Sequence, residues 1–148
     1  MAWVRVFVDT SVLLAGLASP RGAANLILTL AEAELLTLVL SEEVLIEAER
    51  NLQRKLPAAL PHYWEWLAAC PVERVPSPTR EEVLQAARMI HPKDAAILAA
   101  AMRAGVDDLV TLDRRHFLDD PEVARRSGLR IGTPGEFIAW FRALLERK

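Results

Sequence analysis

Three aspartates and a helical glutamate are the residues whose type and placement could do chemistry in this chain. Asp9 closes the apolar run VRVFVD (4–9), Asp94 stands at the head of DAAILAAAMRAG, and Asp113 closes DDLVTLD (107–113). The glutamate lies in SEEVLIEAERNL (41–52), where Glu47 and Glu49 flank the apolar positions on opposite sides, so helical spacing alone does not choose between them. Carboxylates gathered within a few ångström repel one another, and some hold their protons at neutral pH unless a cation intervenes. A set of oxygen donors suits Mg²⁺ or Mn²⁺, and Mg²⁺ keeps several waters for chemistry. A site of acids without His or Cys fits these ions better than zinc.

Positioning such a set falls to the surrounding elements. The segments 4–9, 35–40, 72–75, 107–113 and 129–132 are short, apolar and rich in β-branched residues, as buried strands are. Between them run helical stretches: 12–18; 23–34 after the turn at Pro20-Arg21-Gly22; and a helix capped by Ser41 with Val44, Leu45, Ala48, Leu52 and Leu56 on one face. Further helices follow at PHYWEWLAAC, at 81–90, from Pro92 to Gly105, and after the capping box Thr133-Pro134-Gly135-Glu136. The helix from Pro92 is apolar all round and is expected to be deeply buried. Residues 114–128 read as a loop with helical turns. Strands alternating with helices predict an α/β layered fold around a mostly parallel sheet of about five strands. One domain spans 1–148 in this reading, with no repeat or linker.

In a parallel sheet every crossover helix begins at the carboxyl edge, and ligands bind outside that edge. Asp9 and Asp113 end strands there. Glu47 and Asp94 stand near the starts of helices there. Each has a bland alternative: Asp94 as a complement to a helix dipole, Glu47 as a solvated helix residue, Asp113 as a loop acid. Asp9 has the weakest one, because a carboxylate ending an apolar run is costly to bury unpaired.

Composition narrows the function classes. The net charge is −2, from 18 basic and 20 acidic residues, so the chain lacks the strongly basic balance of many nucleic-acid binders. One cysteine, Cys70, excludes an internal disulfide and a cysteine-ligated zinc site, and its apolar setting suits a buried structural residue. At 52% hydrophobic the chain can fill a core and leave apolar surface for self-association. Arg5 followed by VFVDTSVLLAGLA loosely resembles a signal peptide, but Asp9 interrupts it and no run reaches the ~18 apolar residues of a membrane span. A cytoplasmic protein with no membrane association is the expectation.

VFVDTSVLLAGL resembles the opening strand and first acid of PIN domains, which read as an apolar run followed by Asp-Thr-Asn or Asp-Thr-Ser. SEEVLIEAERNL resembles their second motif, and the match falls on Glu47. HPKDAAILAAAMRAGVDDLVTLD resembles the long central block, with Asp94 as third acid, Asp113 as fourth and Thr111 as the hydroxyl residue before it. The resemblance runs from residue 4 to about 140, and its specificity lies in the ordered set. Ser11 stands where Asn is common, Leu112 where a small residue is usual. His116 and Phe117 occupy the region of a further acid, with Asp119 and Asp120 slightly late.

The resemblance implies a three-layer α/β/α sandwich and a Mg²⁺- or Mn²⁺-dependent endoribonuclease. Many members are VapC-like toxins held inactive by an antitoxin, and many are homodimers. It implies that Asp9, Asp94 and Asp113 hold the cation, that Glu47 completes the site and orients a water, and that Ser11 and Thr111 fix the carboxylates through hydrogen bonds. RNA needs positive charge nearby; Arg21, Arg114, Arg115 and His116 are the candidates, with Arg125 and Arg126 extending the patch, although such residues often form only a solvated face. Two rivals remain. An aspartate-based phosphoryl-transfer enzyme also ends its first strand in Asp, but usually carries a second Asp two residues on, where this chain has Ser11. A non-catalytic PIN-fold module that binds RNA or protein would not require all four acids.

Overall fold

Val6, Phe7 and Val8 have the β-branched and aromatic side chains that pack well on a pleated surface, and they are fully buried in β1 (Arg5–Val8). In the computed structural model of the chain, which describes residues 4–147, four more strands follow. These are β2 (Thr37–Ser41), β3 (Val72–Val75), β4 (Asp108–Val110) and β5 (Arg130–Gly132). They form one sheet in the order β3-β2-β1-β4-β5, and all four pairings are parallel. The expected α/β architecture is present, with a sheet that is parallel throughout.

Two strand boundaries differ from the expectation by more than one residue. Strand β2 starts at Thr37 because Glu34 takes the left-handed backbone (φ 60°) and the Leu35 N–H closes onto the Leu30 carbonyl at 2.9 Å. Leu35 is therefore part of the turn and half-exposed. Strand β4 ends at Val110, not at 113. The Thr111 N–H still reaches Gly132 O at 3.0 Å, but the Thr111 hydroxyl then accepts the Asp113 N–H at 3.0 Å and turns the chain out of the ladder.

Among the described residues eight α-helices connect and flank the strands: α1 (Thr10–Ala18), α2 (Ala23–Glu32), α3 (Glu42–Lys55), α4 (Leu60–Ala69), α5 (Arg80–Ala86), α6 (Ala95–Ala104), α7 (Pro121–Ser127) and α8 (Pro134–Glu146). Ser41 caps α3 through the Val44 N–H, and Thr133 with Glu136 forms the expected capping box on α8. A second box, Thr79 with Glu82, starts α5 one residue before the expected helix. Helix contacts fall into two groups. Helix α1 packs on α2 and α3, α3 on α4, and α2 on α8, whereas α5 packs on α6. Parallel crossovers are right-handed, so reversing direction along the sheet moves the connection to the opposite face. The two groups therefore cover the two faces. Helix α6 buries Ala95, Leu98, Ala99, Ala100 and Ala101, as expected of a helix that is apolar all round. Cys70 is buried and unpaired, and burial pushes its thiol up to about 11.

Among the described residues no single helix is long and apolar enough to cross a membrane; α1 and α2 are apolar enough together but meet at 89°. Their sharp approach requires Gly16. A Cβ there would lie 2.6 Å from Leu28 Cδ1 and 3.0 Å from the Ala24 carbonyl. Gly16→Ala is expected to destabilise the fold by about 1–3 kcal/mol through overpacking, despite the better helix propensity of alanine. Urea unfolding followed by circular dichroism measures it, with a midpoint equal to or above the wild type as the opposing result.

Candidate metal centre

The strand order reverses at β1: the chain leaves it for β2 on one side and returns from β3 to β4 on the other. Such a reversal opens a crevice outside the carboxyl ends of the strands. Asp9 immediately follows β1 at this point, its N–H donating to Val110 O of β4 at 3.2 Å. It also caps α1. Oδ1 accepts the Val12 N–H at 3.1 Å and the Ser11 hydroxyl at 2.7 Å, and Oδ2 accepts the Thr111 hydroxyl. Asp9 is only 8% exposed. Burial raises its pKa above the ordinary carboxylate value; the three hydrogen bonds oppose that shift and the nearby charge of Asp113 adds to it.

The other acids meet Asp9 on one wall. A cavity of about 360 Å³ is lined by Asp9, Glu47, Asp94 and Asp113, together with Thr10, Ser11, Lys93 and Ile97. Asp113 lies beyond β4 and caps the helical turn Arg114–Leu118, Oδ1 accepting the His116 N–H at 3.1 Å. Asp94 ends the tight turn Pro92–Asp94 and occupies the cap position of α6 without making a side-chain cap bond, so its carboxylate is free for other partners. The ambiguity between the two glutamates of α3 is resolved by packing. Glu47 lines the cavity. Glu49 lies on the side of Tyr63, whose pKa is pushed up to about 12 by burial and then by the Glu49 charge. Ser11 and Thr111 both donate hydrogen bonds to Asp9.

The basic residues are distributed differently from the acids. None of Arg21, Arg114 and Arg115 lines the acidic cavity, and all three are exposed. Arg115 lies with His116 and His91 on an adjoining open cavity. Arg125 pairs with Glu122 inside α7, and Arg126 donates to Arg88 O, so both have local partners. His116, read from the sequence as an RNA contact, has its Nδ1 against Asp94 Oδ2 and 3.4 Å from Asp113 Oδ2. Two residues were missed altogether. Lys93 is the cation on the cavity wall, and His91 stacks on His116 with ring centroids 4.5 Å apart. The sequence signal was their place beside Asp94, in His91-Pro92-Lys93-Asp94. A second cavity of about 370 Å³, between β5 and α8, brings no such acid group together; its Asp108 is paired with Arg130.

Residues 5–115 match the family described as PIN domain. The chain belongs to the PIN-domain family. Its fold is shared by solved structures of low identity. PAE2754 from Pyrobaculum aerophilum is 24% identical, with a TM-score of 0.63 over 94% of this chain and 97% of that one. DNA-bound VapBC from Salmonella typhimurium is 17% identical, TM-score 0.63, over 89% and 99%. FitAcB from Neisseria gonorrhoeae is 16% identical, TM-score 0.58, over 87% and 97%. No curated protein matches the chain. The PIN-domain match spans all four acids and ends one residue before His116.

The donor set fits a hard divalent cation of the kind PIN nucleases use. Four carboxylates share one cavity, one of them nearly buried, and the Thr10 hydroxyl in the same wall is buried without a hydrogen-bond partner. The buried Asp9 charge should show in the metal-free protein. Its folded pKa lies above the unfolded value of about 3.9, so between those two values the folded state binds more protons and stability rises as pH falls. In chelator, Asp9→Asn should remove that slope and raise stability near neutral pH by about 1 kcal/mol. Thermal melts across pH 4–7 measure it, with an unchanged slope as the opposing result.

Proposed function

We propose that this PIN-domain protein is an endoribonuclease that hydrolyses phosphodiester bonds in single-stranded RNA with Mg²⁺ or Mn²⁺, and acts as the toxin of a toxin–antitoxin pair. The supporting observation is the convergence of Asp9, Glu47, Asp94 and Asp113, from four separate segments, on one open cavity at the sheet reversal. Asp9, Asp94 and Asp113 would hold the cation, with Glu47 completing the site. Bound there, a divalent cation supplies an activated water near neutral pH and offsets charge on the phosphate oxygens.

The protein's own part is to orient these groups. Ser11 and Thr111 fix the two oxygens of Asp9, and Thr111 also accepts from the Asp113 backbone, so one side chain ties two acids together. Lys93 meets a phosphate on the cavity wall. Arg21, Arg114 and Arg115 supply a wider positive surface for the strand. An aspartyl-phosphate mechanism is disfavoured, because Ser11 stands two residues after Asp9, where such enzymes usually carry a second Asp.

Partners follow from the same family. Two of the structural neighbours are described as VapBC and FitAcB, which supports an antitoxin as partner. An apolar groove between α1, α3 and α4, lined by Leu14, Leu17, Leu52 and Leu56, offers surface for such a protein or for a second copy of this chain.

A mixed RNA pool with Mg²⁺ or Mn²⁺ provides the test. Cleavage is expected, and chelation should abolish it. Asp9→Asn or Asp113→Asn should lower it by roughly 10²-fold or more with the fold retained. Wild-type cleavage by Asp9→Asn would exclude the assignment. Lys93→Ala should weaken RNA binding and flatten its salt dependence by about one phosphate contact; an unchanged slope removes Lys93 from the interface.

A further inference from the structure

Histidine 116 stands where three potential ligands already meet. Its Nδ1 touches Asp94 Oδ2 and lies 3.4 Å from Asp113 Oδ2. These groups come from different places: Asp94 from the turn ahead of α6, Asp113 from beyond β4, and His116 from the following helical turn. His116 and Asp94 are half-buried, so solvent reaches them without diluting the contact. Donor atoms of His91, Asp94 and His116 also lie within 4.8 Å of one another.

We propose that His116 is a metal ligand, which with Asp94 and Asp113 forms a cation position bearing an imidazole nitrogen and preferring Mn²⁺ or Zn²⁺ to Mg²⁺. A cation bound at Nδ1 takes the place of any proton on that nitrogen, which leaves to solvent, as ligand binding by histidine requires. Imidazole suits the softer divalent ions, whereas Mg²⁺ demands oxygen.

His91 has a different part. Its ring is parallel to that of His116 within 4°, so the in-plane lone pairs of the two rings lie in separate planes and do not converge on one ion. Its Nδ1 already accepts the Lys93 N–H at 3.1 Å. Stacking by His91 therefore positions the His116 ring rather than adding a second nitrogen.

The inference rests on the metal half of the proposed function and is independent of the substrate. Pulsed EPR of the Mn²⁺-loaded full-length protein tests it directly. A directly coordinated ¹⁴N coupling is expected, converted to the ¹⁵N pattern when histidine is ¹⁵N-labelled, lost in His116→Ala and kept in His91→Ala. Mn²⁺ affinity should fall 10–100-fold in His116→Ala, with a smaller change for Mg²⁺. Bound Mn²⁺ without histidine nitrogen coupling, coupling that survives His116→Ala, or no Mn²⁺ binding overturns the proposal. The labelling result needs no variant, so it decides even if His116→Ala misfolds. RNA cleavage without nitrogen coupling would overturn this ligand and leave the nuclease assignment standing.

Discussion

A carboxylate held almost out of water between the two central strands is the constraint around which this structure is arranged. Asp9 is 8% exposed, directly after a fully buried stretch of β1. Burying such a charge is unfavourable unless hydrogen bonds or a cation compensate it. Three donors compensate in part: the Ser11 hydroxyl, the Val12 N–H and the Thr111 hydroxyl. Burial still outweighs them in its effect on the pKa. The fold thus keeps a carboxylate at its centre whose burial its own hydrogen bonds do not fully offset.

The neighbours of Asp9 are shaped by the same demand. Thr111 is fully buried and links β1 to the segment after β4, donating to Asp9 while accepting from Asp113. That single hydroxyl ends the β4 ladder and sets the acid that follows it. Asp113 then caps the turn that delivers His116 to Asp94. Local backbone geometry and the relative placement of three acids are therefore one linked system. Asp94 contributes because it leaves its helix uncapped by its side chain, keeping both oxygens for other contacts.

Much of the fold was legible in the order of apolar segments. Strand–helix alternation implies parallel pairing, since parallel strands need long crossovers. Caps at Ser41 and Thr133 were visible because hydroxyl residues before helices satisfy orphan N–H groups. The boundaries at 35 and 113 were not. Both depend on where a turn closes, through Leu35 onto Leu30 and through Asp113 onto Thr111, and apolar character continues across each boundary in the sequence. Asp9, Asp94 and Asp113 were readable as acids at strand ends and helix starts, and parallel topology puts such positions at one edge.

By itself, then, the sequence determined the α/β class and the parallel sheet and put Asp9, Asp94 and Asp113 at one sheet edge, because periodicity and topology restrict where chain ends of elements can go. Helical spacing leaves Glu47 and Glu49 symmetric about the apolar face of α3, and only the family resemblance singled out Glu47; the tertiary structure is what parts them, with Tyr63 on one side and the cavity on the other. It alone also joined His116 to Asp94, 22 residues away, with His91 stacked behind. Local patterning carries no information about such contacts, because they depend on how two separate turns pack against each other.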